Sequence, residues 1–228
     1  MFLTLVYPDN KMEAYLSRLY VDDDDPSLKQ ELTPTPSPSP APDLWERISS
    51  EASFSSVAVQ VFKDNRSIKS GSGIILSADG LIIVPADLTA LGGIYQILYE
   101  DKVAKGIIVS FDIKRNLAII KIINPEFDLN VSSLNTNLVY QSGQDVLIAG
   151  KLADRLEPVA ISQRGIISYV SGDNIILDTF TNSSLVGSKV LNSRGELVGA
   201  LYIRGGKSYV ISSKDIDAFF KEYLNKTQ

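Results

Sequence analysis

Residues 71–89 decide the fold, and they read Gly-Ser-Gly-Ile-Ile-Leu-Ser-Ala-Asp-Gly-Leu-Ile-Ile-Val-Pro-Ala-Asp-Leu-Thr. Two apolar, β-branched runs flank the segment Ser77–Gly80, whose Asp-Gly pair is typical of a tight hairpin turn. The stretch therefore predicts a strand, a turn and a second strand in direct succession. Asp87 follows two residues after Pro85, at the end of the second strand.

Short strand patterns continue on both sides of this hairpin and are separated by Gly, Asn or Asp. The first set lies at about 55–63, 67–76, 81–85, 94–99, 103–110 and 115–122, and the second at about 145–150, 158–169, 174–180, 186–192, 196–204 and 207–212. Two sets of six short strands predict an all-β protein with two six-stranded antiparallel barrels. Barrel 1 is predicted at about 54–125 and barrel 2 at about 140–212.

Two helices are predicted beside the barrels. Asp43 is a candidate N-cap for a short helix at 44–50, and Ser213 is a candidate N-cap for a C-terminal helix at 213–224. The second helix carries an apolar stripe of Ile216, Phe219, Phe220 and Tyr223, a pattern typical of core packing. No PDZ domain is predicted after this helix.

The first 43 residues differ in composition from the rest of the chain. They hold eight acidic and three basic residues, seven of the ten prolines and none of the fifteen glycines. We interpret 1–21 as a short amphipathic helix or tail, 22–43 as an acidic and proline-rich linker, and 44–228 as the folded domain. The domain from 44 to 228 carries no net charge, since the formal charge of −5 falls within the first 43 residues.

The composition argues against several classes of function. A neutral domain has no basic surface for a phosphate backbone, so no nucleic-acid partner is expected. The chain has no cysteine and no histidine, which leaves carboxylates as metal-binding side chains, and their spacing does not match a metal site. No metal or other cofactor is predicted. No run reaches the ~20 apolar residues of a membrane span, so membrane contact is expected only through an anchor that this sequence does not show.

Several ordered blocks resemble the trypsin-like serine proteases, most closely the HtrA type. The likeness spans about 54–222, and the hairpin at 71–89 is similar to the family hairpin that leads into the catalytic histidine. The further blocks are Asn116–Ile122, Gly143–Gly150, Gly165–Ser168, Asp178, Gly195–Gly199 and Tyr209–Ile211. The resemblance implies a double β-barrel. It also implies an extracytoplasmic protein, either located in the cell envelope or secreted.

The catalytic positions depart from the family pattern. Aligned on these blocks, the histidine position holds Asp87, the aspartate position Asn116 and the nucleophile position Val186. The triad needs a base with a pKa near working pH to take the serine proton, and no histidine is present anywhere in the chain. We therefore predict a pseudoprotease with no catalytic residues, which acts as a peptide- or protein-binding or regulatory module.

The cleft that holds the active site in the family, here called the relic cleft, is the expected binding site. Its candidate binding residues are Asp87, Gly187 and Ser188. Asp87 has two interpretations: a carboxylate that binds a peptide amine or basic side chain, or an N-cap or turn acid after Pro85. Val186 is expected to fill the abandoned nucleophile space.

Two other functions stay open. One is an active serine hydrolase with a rearranged site, which would use Ser183, Ser184 or Ser188 with Lys189 as base. Against this, alternation along a strand at 186–192 would point Ser188 and Lys189 to opposite faces. The other is a structural module of the cell envelope.

Overall fold

The predicted hairpin joins strand β2 (Arg66–Ile75) to strand β3 (Leu81–Pro85). Its turn closes through a 3.1 Å hydrogen bond from the Gly80 N–H to the Ser77 carbonyl oxygen. Gly80 has φ +96°, a backbone conformation that glycine adopts without a steric penalty. Every residue of β3 is buried, because one face lies in the core of the first barrel and the other lies in a core shared by both barrels.

The computed structural model describes residues 43–125, 127–154, 157–172 and 174–227. These residues belong to one unit, which begins at Pro42. The helix or tail predicted at 1–21 and the linker predicted at 22–43 lie outside the described residues, apart from Asp43.

The first barrel closes in the strand order β1-β2-β3-β6-β5-β4, with antiparallel neighbours throughout. Its other strands are β1 (Ser56–Lys63), β4 (Ile94–Tyr99), β5 (Lys102–Asp112) and β6 (Leu117–Ile122). The barrel interior is filled by aliphatic side chains such as Val59, Ile82 and Ile120, none of which is exposed to solvent. The glycine at 73 lies against Ile82 so closely that a Cβ there would approach it to 2.5 Å.

The second barrel repeats this arrangement in the order β10-β11-β12-β9-β8-β7. Its strands are β7 (Asp145–Asp154), β8 (Glu157–Ser171), β9 (Asn174–Asp178), β10 (Lys189–Asn192), β11 (Leu197–Arg204) and β12 (Lys207–Ser212). The prediction of two six-stranded antiparallel barrels is confirmed. Strand β10 is shorter than predicted, since 186–192 was expected and β10 begins at Lys189.

Both helices pack on a core that the two barrels share. Helix α1 (Leu44–Phe54) contributes Ile48 and Ala52, and helix α2 (Ser213–Thr227) contributes Ile216 and Phe219. Helix α1 is four residues longer than predicted because Ala52 is buried one turn beyond Ile48 and extends the apolar face. None of the helices in the described part of the chain has the length and apolarity required to cross a bilayer.

The predicted N-cap of the C-terminal helix is displaced by one residue. The Ser212 hydroxyl accepts a 3.1 Å hydrogen bond from the Asp215 N–H, as an N-cap does. Ser213, which was predicted to fill this role, is fully buried and donates its hydroxyl to the Asn135 carbonyl oxygen at 2.7 Å. Burial of Ser213 against the segment that carries Asn135 therefore decides which of the two serines caps the helix.

Candidate functional site

Asp87 lies at the mouth of the cleft between the barrels, on a single 3-10 turn (Ala86–Leu88) that directly follows β3. The ammonium group of Lys69 ties this turn to β2 by donating to the carbonyl oxygens of Asp87 (2.6 Å) and Thr89 (2.7 Å). The Asp87 side chain is exposed and lies inside the turn rather than at its N-cap position. Its carboxylate is therefore held in place but open to solvent.

Asn116 meets Asp87 through two hydrogen bonds. The Asn116 Nδ2 donates to Asp87 Oδ2 at 2.9 Å, and the Asp87 backbone N–H donates to Asn116 Oδ1 at 3.1 Å. Asn116 has φ +55°, a left-handed conformation that asparagine tolerates better than most residues. The structure thus brings together the two residues that the sequence aligned with the family histidine and aspartate, and they form a carboxylate–amide pair.

Val186 follows a second 3-10 turn (Ser183–Leu185) and packs, half-buried, against the core of the first barrel. The Val186 N–H donates to the Ser183 carbonyl oxygen at 3.2 Å, and the Ser184 N–H donates to Asn182 Oδ1 at 3.0 Å. In the triad mechanism, the N–H groups of the nucleophile and of the residue two positions before it bind the oxyanion. At this site, both matching N–H groups have partners within the turn.

Gly187 and Ser188 form the wall between the barrels rather than the surface of the cleft. Gly187 is buried with φ +82°, and a Cβ there would lie 1.9 Å from the Ser72 carbonyl oxygen. Ser188 has no solvent exposure, and its hydroxyl lies 3.1 Å from the Ser72 hydroxyl. The two residues were predicted to bind a ligand in the relic cleft, but in this conformation a ligand cannot reach their side-chain positions.

Close contact between the barrels also explains why β10 begins at Lys189 and not at the predicted residue 186. The Ser72 N–H donates to the Val186 carbonyl oxygen at 2.8 Å, which fixes this segment to β2. The positive φ of Gly187 then turns the chain before it can enter the ladder with β7 and β11. Ser188 and Lys189 nevertheless point to opposite sides: Ser188 faces Ser72, and Lys189 faces helix α1.

Two grooves meet at Asp87. The larger one has a volume of about 780 Å³ and is lined by side chains that include Arg115, Asn116, Tyr202 and Arg204. The smaller one has a volume of about 410 Å³; it is lined by Lys69, Ser70, Leu88, Ser183, Ser184 and Val186. Asp87 and Ile203 line both grooves, so the two form one cleft that crosses from barrel 1 to barrel 2.

Among the charged residues that line the larger groove, Arg115 forms ion pairs, whereas Lys114 and Arg204 form none with the described residues. Arg115 bonds to Glu222 at 2.6 Å and to Asp112 at 3.1 Å, and the hydrogen bond to Glu222 raises the pKa of the Arg115 guanidinium. Burial, reinforced by the neighbouring Tyr209, raises the pKa of Tyr202, which therefore stays a neutral phenol. The exposed Asp87 carboxylate shares the cleft with the cationic side chains of Lys69, Lys114 and Arg204.

One strand edge faces this cleft. The Leu201 N–H donates to the Ser188 carbonyl oxygen (2.9 Å), and the Gly187 N–H donates to the Leu201 carbonyl oxygen (2.8 Å). Because the backbone groups of a strand alternate in direction, Ile203 directs its N–H and C=O to the same side as Leu201. Among the described residues no strand pairs with β11 on that side at Ile203, so its peptide groups are open to the cleft.

The described residues contain no cluster of three or more carboxylates that could hold a metal ion. The cleft is lined by open backbone groups, apolar side chains and charged side chains of both signs. Sequence reasoning missed the role of Ile203, although its predicted strand at 196–204 was nearly correct. Which face of that strand stays unpaired depends on where β10 begins, and the local pattern does not contain this information.

Known proteins with the same features identify the family. The trypsin-like peptidase domain matches residues 71–199, which is more than half of the chain. The chain belongs to the trypsin-like peptidase family. Within this family it is of the HtrA type, as the resemblance predicted. It is 31% identical over 171 residues to serine protease HTR4 of Rattus norvegicus, and 30% identical over 171 residues to serine protease HTRA4 of Mus musculus.

Each of these two alignments covers 68% of this chain and 34% of the relative, so the chain spans about a third of the length of these curated relatives. The serine endoprotease of Yersinia pestis has the same trypsin-like fold, with a TM-score of 0.69. That match covers 82% of this chain and 69% of the other at 20% identity. The extracytoplasmic location implied by the family stays a prediction.

Proposed function

We propose that this domain is an HtrA-type member of the trypsin-like peptidase family whose cleft is catalytically inactive in proteolysis and binds an extended peptide or protein segment. The observation that carries the proposal is the set of residues at the triad positions. Asp87 and Asn116 are hydrogen-bonded to each other there, and Val186 takes the place of the nucleophile. The chain contains no histidine that could act as the base.

The chemistry of peptide hydrolysis supports inactivity at this site. A carboxylate is a much weaker base than an imidazole and is therefore a poor acceptor for a serine proton at neutral pH. Asn116 does not titrate, and the valine side chain has no nucleophilic atom. The two N–H groups that would bind the oxyanion are already hydrogen-bonded within the 3-10 turn. Each loss alone removes several orders of magnitude in rate, and all of them occur together.

A rearranged cleft serine is a weaker candidate. Ser188 is buried, and Lys189 points away from it towards helix α1. Ser183 and Ser184 lie near the smaller groove, but the contacts of Lys189 lie on another side of β10. Lys69 lines the same groove as these serines, but it donates two hydrogen bonds to the turn that carries Asp87.

Binding of an extended peptide is supported by the open edge at Ile203. A peptide that lies antiparallel to β11 can exchange hydrogen bonds with the Ile203 N–H and C=O, the mode known as β-augmentation. The Asp87 carboxylate lies at the junction of both grooves and attracts a basic side chain or a peptide amine. A ligand with a basic residue in an extended segment is therefore the chemistry that fits.

The absence of triad catalysis is tested with the full-length chain, unfolded casein and a fluorophosphonate probe. We expect no casein cleavage and no adduct on Ser183, Ser184 or Ser188 when adducts are mapped by mass spectrometry. Casein cleavage that disappears in Ser184→Ala or Ser188→Ala would overturn the proposal and favour a rearranged hydrolase.

The binding function is tested with a library of extended peptides. Asp87→Ala is expected to weaken binding of basic peptides about tenfold, or ~1.4 kcal/mol, whereas Asp101→Ala, which removes an exposed carboxylate outside the grooves, leaves it unchanged. Ile203→Pro removes only the N–H that faces the cleft, since Ile203 makes no ladder hydrogen bond to β12 at its own position. We expect Ile203→Pro to abolish peptide binding and Ile203→Ala to retain it. Equal, weak binding by wild type and all variants would favour a structural envelope module instead.

A further inference from the structure

We propose that Ser55 and Lys189 form a second nucleophilic site, in a cavity beneath helix α1, that accepts acyl groups from small activated esters. This site is separate from the cleft and independent of the proposed peptide binding. It is built from the end of α1 and the first residue of β10, two segments that the fold brings together although 134 positions separate them in the chain.

The contact between the two side chains is direct. The Lys189 amine hydrogen-bonds to the Ser55 hydroxyl and also lies 3.1 Å from the Ala52 carbonyl oxygen, to which it donates. Lys189 is 2% exposed, whereas Ser55 is half-buried. The Ala52 carbonyl belongs to the last turn of α1, so the helix end orients the amine towards Ser55.

The strand geometry explains why the partner is Ser55. Ser188 and Lys189 are adjacent, so their side chains point to opposite sides of the backbone. Ser188 reaches Ser72 across the barrel interface, and Lys189 reaches the end of α1. The chain therefore does contain a serine–lysine pair, but its serine comes from the helix terminus and not from the relic cleft.

A cavity gives a substrate access to this pair. Its volume is about 310 Å³, and both Ser55 and Lys189 line it. The apolar part of the wall is formed by Ile48, Leu191 and Leu197, and the polar part by Ser132, Ser133 and Asn135. Since this volume is at the lower end of the range for ligand pockets, a short acyl group fits and a folded protein substrate does not.

The electrostatics favour a neutral amine. Burial, reinforced by the neighbouring Lys151 on β7, lowers the pKa of Lys189 to about 7. Two carboxylates also line the cavity, Glu51 on α1 and Glu196 on the β10–β11 turn. No carboxylate lies within 4.0 Å of the Lys189 amine among the described residues, and Glu196 is bound to Asn192 and Arg194. About half of the amines are thus unprotonated near neutral pH and can accept a proton.

The reaction is an ordinary acyl transfer through a covalent intermediate. The Ser55 oxygen attacks the ester carbonyl carbon while its proton passes to the Lys189 nitrogen. The tetrahedral intermediate collapses, the bond to the leaving oxygen breaks, and the ammonium returns the proton to that oxygen. Water then attacks the acyl-serine, gives one proton to Lys189, and the Ser55 oxygen leaves and recovers that proton.

The site is tested with the full-length protein and two small probes, p-nitrophenyl acetate and an alkyl fluorophosphonate. We expect an adduct on Ser55 by peptide mapping, formed at a rate that rises with pH and levels off above a midpoint near 7. Ser55→Ala is expected to abolish this adduct, and Lys189→Met to slow it by about 10²–10⁴-fold, the usual contribution of a positioned base. Ser50→Ala, which removes an exposed serine of the same helix, is the matched control and is expected to label as the wild type does.

Folding of the variants is checked by thermal melting, and the wild-type pH profile provides a test that needs no variant. An intact wild-type protein without an adduct on Ser55 would overturn the proposal. So would an adduct whose rate increases tenfold per pH unit from 6 to 9, because that is the behaviour of a serine without a base. Labels on Ser183 or Ser184 would contradict the proposed inactivity of the cleft and leave this site unaffected, so the two failures are distinguishable.

Discussion

Replacing Lys189 with methionine gives the sharpest test of how the buried amine affects stability. The pKa of Lys189 falls from 10.5 in the unfolded chain to about 7 in the folded protein. Between these values the unfolded chain binds a proton that the folded protein does not, so the free energy of unfolding rises with pH. For a shift of this size, the wild type gains about 2 kcal/mol from pH 7 to pH 9 relative to a chain without the amine.

Lys189→Met keeps the length of the side chain and removes its charge. The Ala52 carbonyl oxygen retains a partner in the variant, because the Ser56 hydroxyl donates to it at 2.8 Å. We therefore expect the variant to be at least as stable as the wild type at pH 7, where the buried amine is partly charged. This advantage shrinks as the pH rises to 9.

The assay is urea unfolding of both proteins at pH 7, 8 and 9, followed by far-UV circular dichroism and by fluorescence of the single tryptophan. Trp45 lies on helix α1, where the Arg164 guanidinium stacks over its ring at 5.0 Å, so its emission reports on docking of that helix. Coincident transitions of the two probes would support a two-state analysis. Tyr140 and Tyr202, whose pKa values are raised by burial, titrate in both proteins and cancel in the difference. Equal pH dependence in wild type and variant would refute the reasoning.

Two further predictions concern the wall between the barrels and the cleft. Gly187→Ala is expected to lower the free energy of unfolding by about 3 kcal/mol or more, because its Cβ would meet the Ser72 carbonyl oxygen at 1.9 Å. Gly143→Ala, with φ +88° but nothing within 4 Å, is expected to cost only about 1 kcal/mol; equal losses in urea unfolding would contradict the steric argument. Restoring the triad is not expected to restore casein cleavage, since the N–H groups at 184 and 186 stay bonded within their turn. The test is casein cleavage by the triple variant Asp87→His, Asn116→Asp, Val186→Ser. Measurable cleavage would show that these N–H groups are available to bind an oxyanion.

The fold followed from local patterns because those patterns have a direct physical cause. A run such as 81–85 is apolar on both faces, so it forms a strand that is buried on both sides, and β3 does so. An Asp-Gly pair at 79–80 stabilises a turn whatever surrounds it. The order of such blocks was enough to predict both barrels, and the loss of the triad histidine followed from composition alone.

The sites were less predictable, because their accessibility depends on packing between distant segments. Ser188 was predicted to contact a ligand in the cleft, but the contact with Ser72 from the other barrel buries it. The opening of the β11 edge at Ile203 depends on where β10 starts, and a glycine with positive φ at 187 determines that start. Only Asp87, among the three predicted binding residues, lines the grooves.

The sequence by itself determined that the chain builds two β-barrels and that no imidazole is present at the hairpin's end, where Asp87 stands. Hydrophobic alternation, turn chemistry and residue identity act locally, and they need no knowledge of the rest of the chain. Only the tertiary structure decided which polar side chains meet. It joined Asp87 to Asn116 and Lys189 to Ser55, because side-chain contacts between distant segments exist only after the barrels and helix α1 have packed.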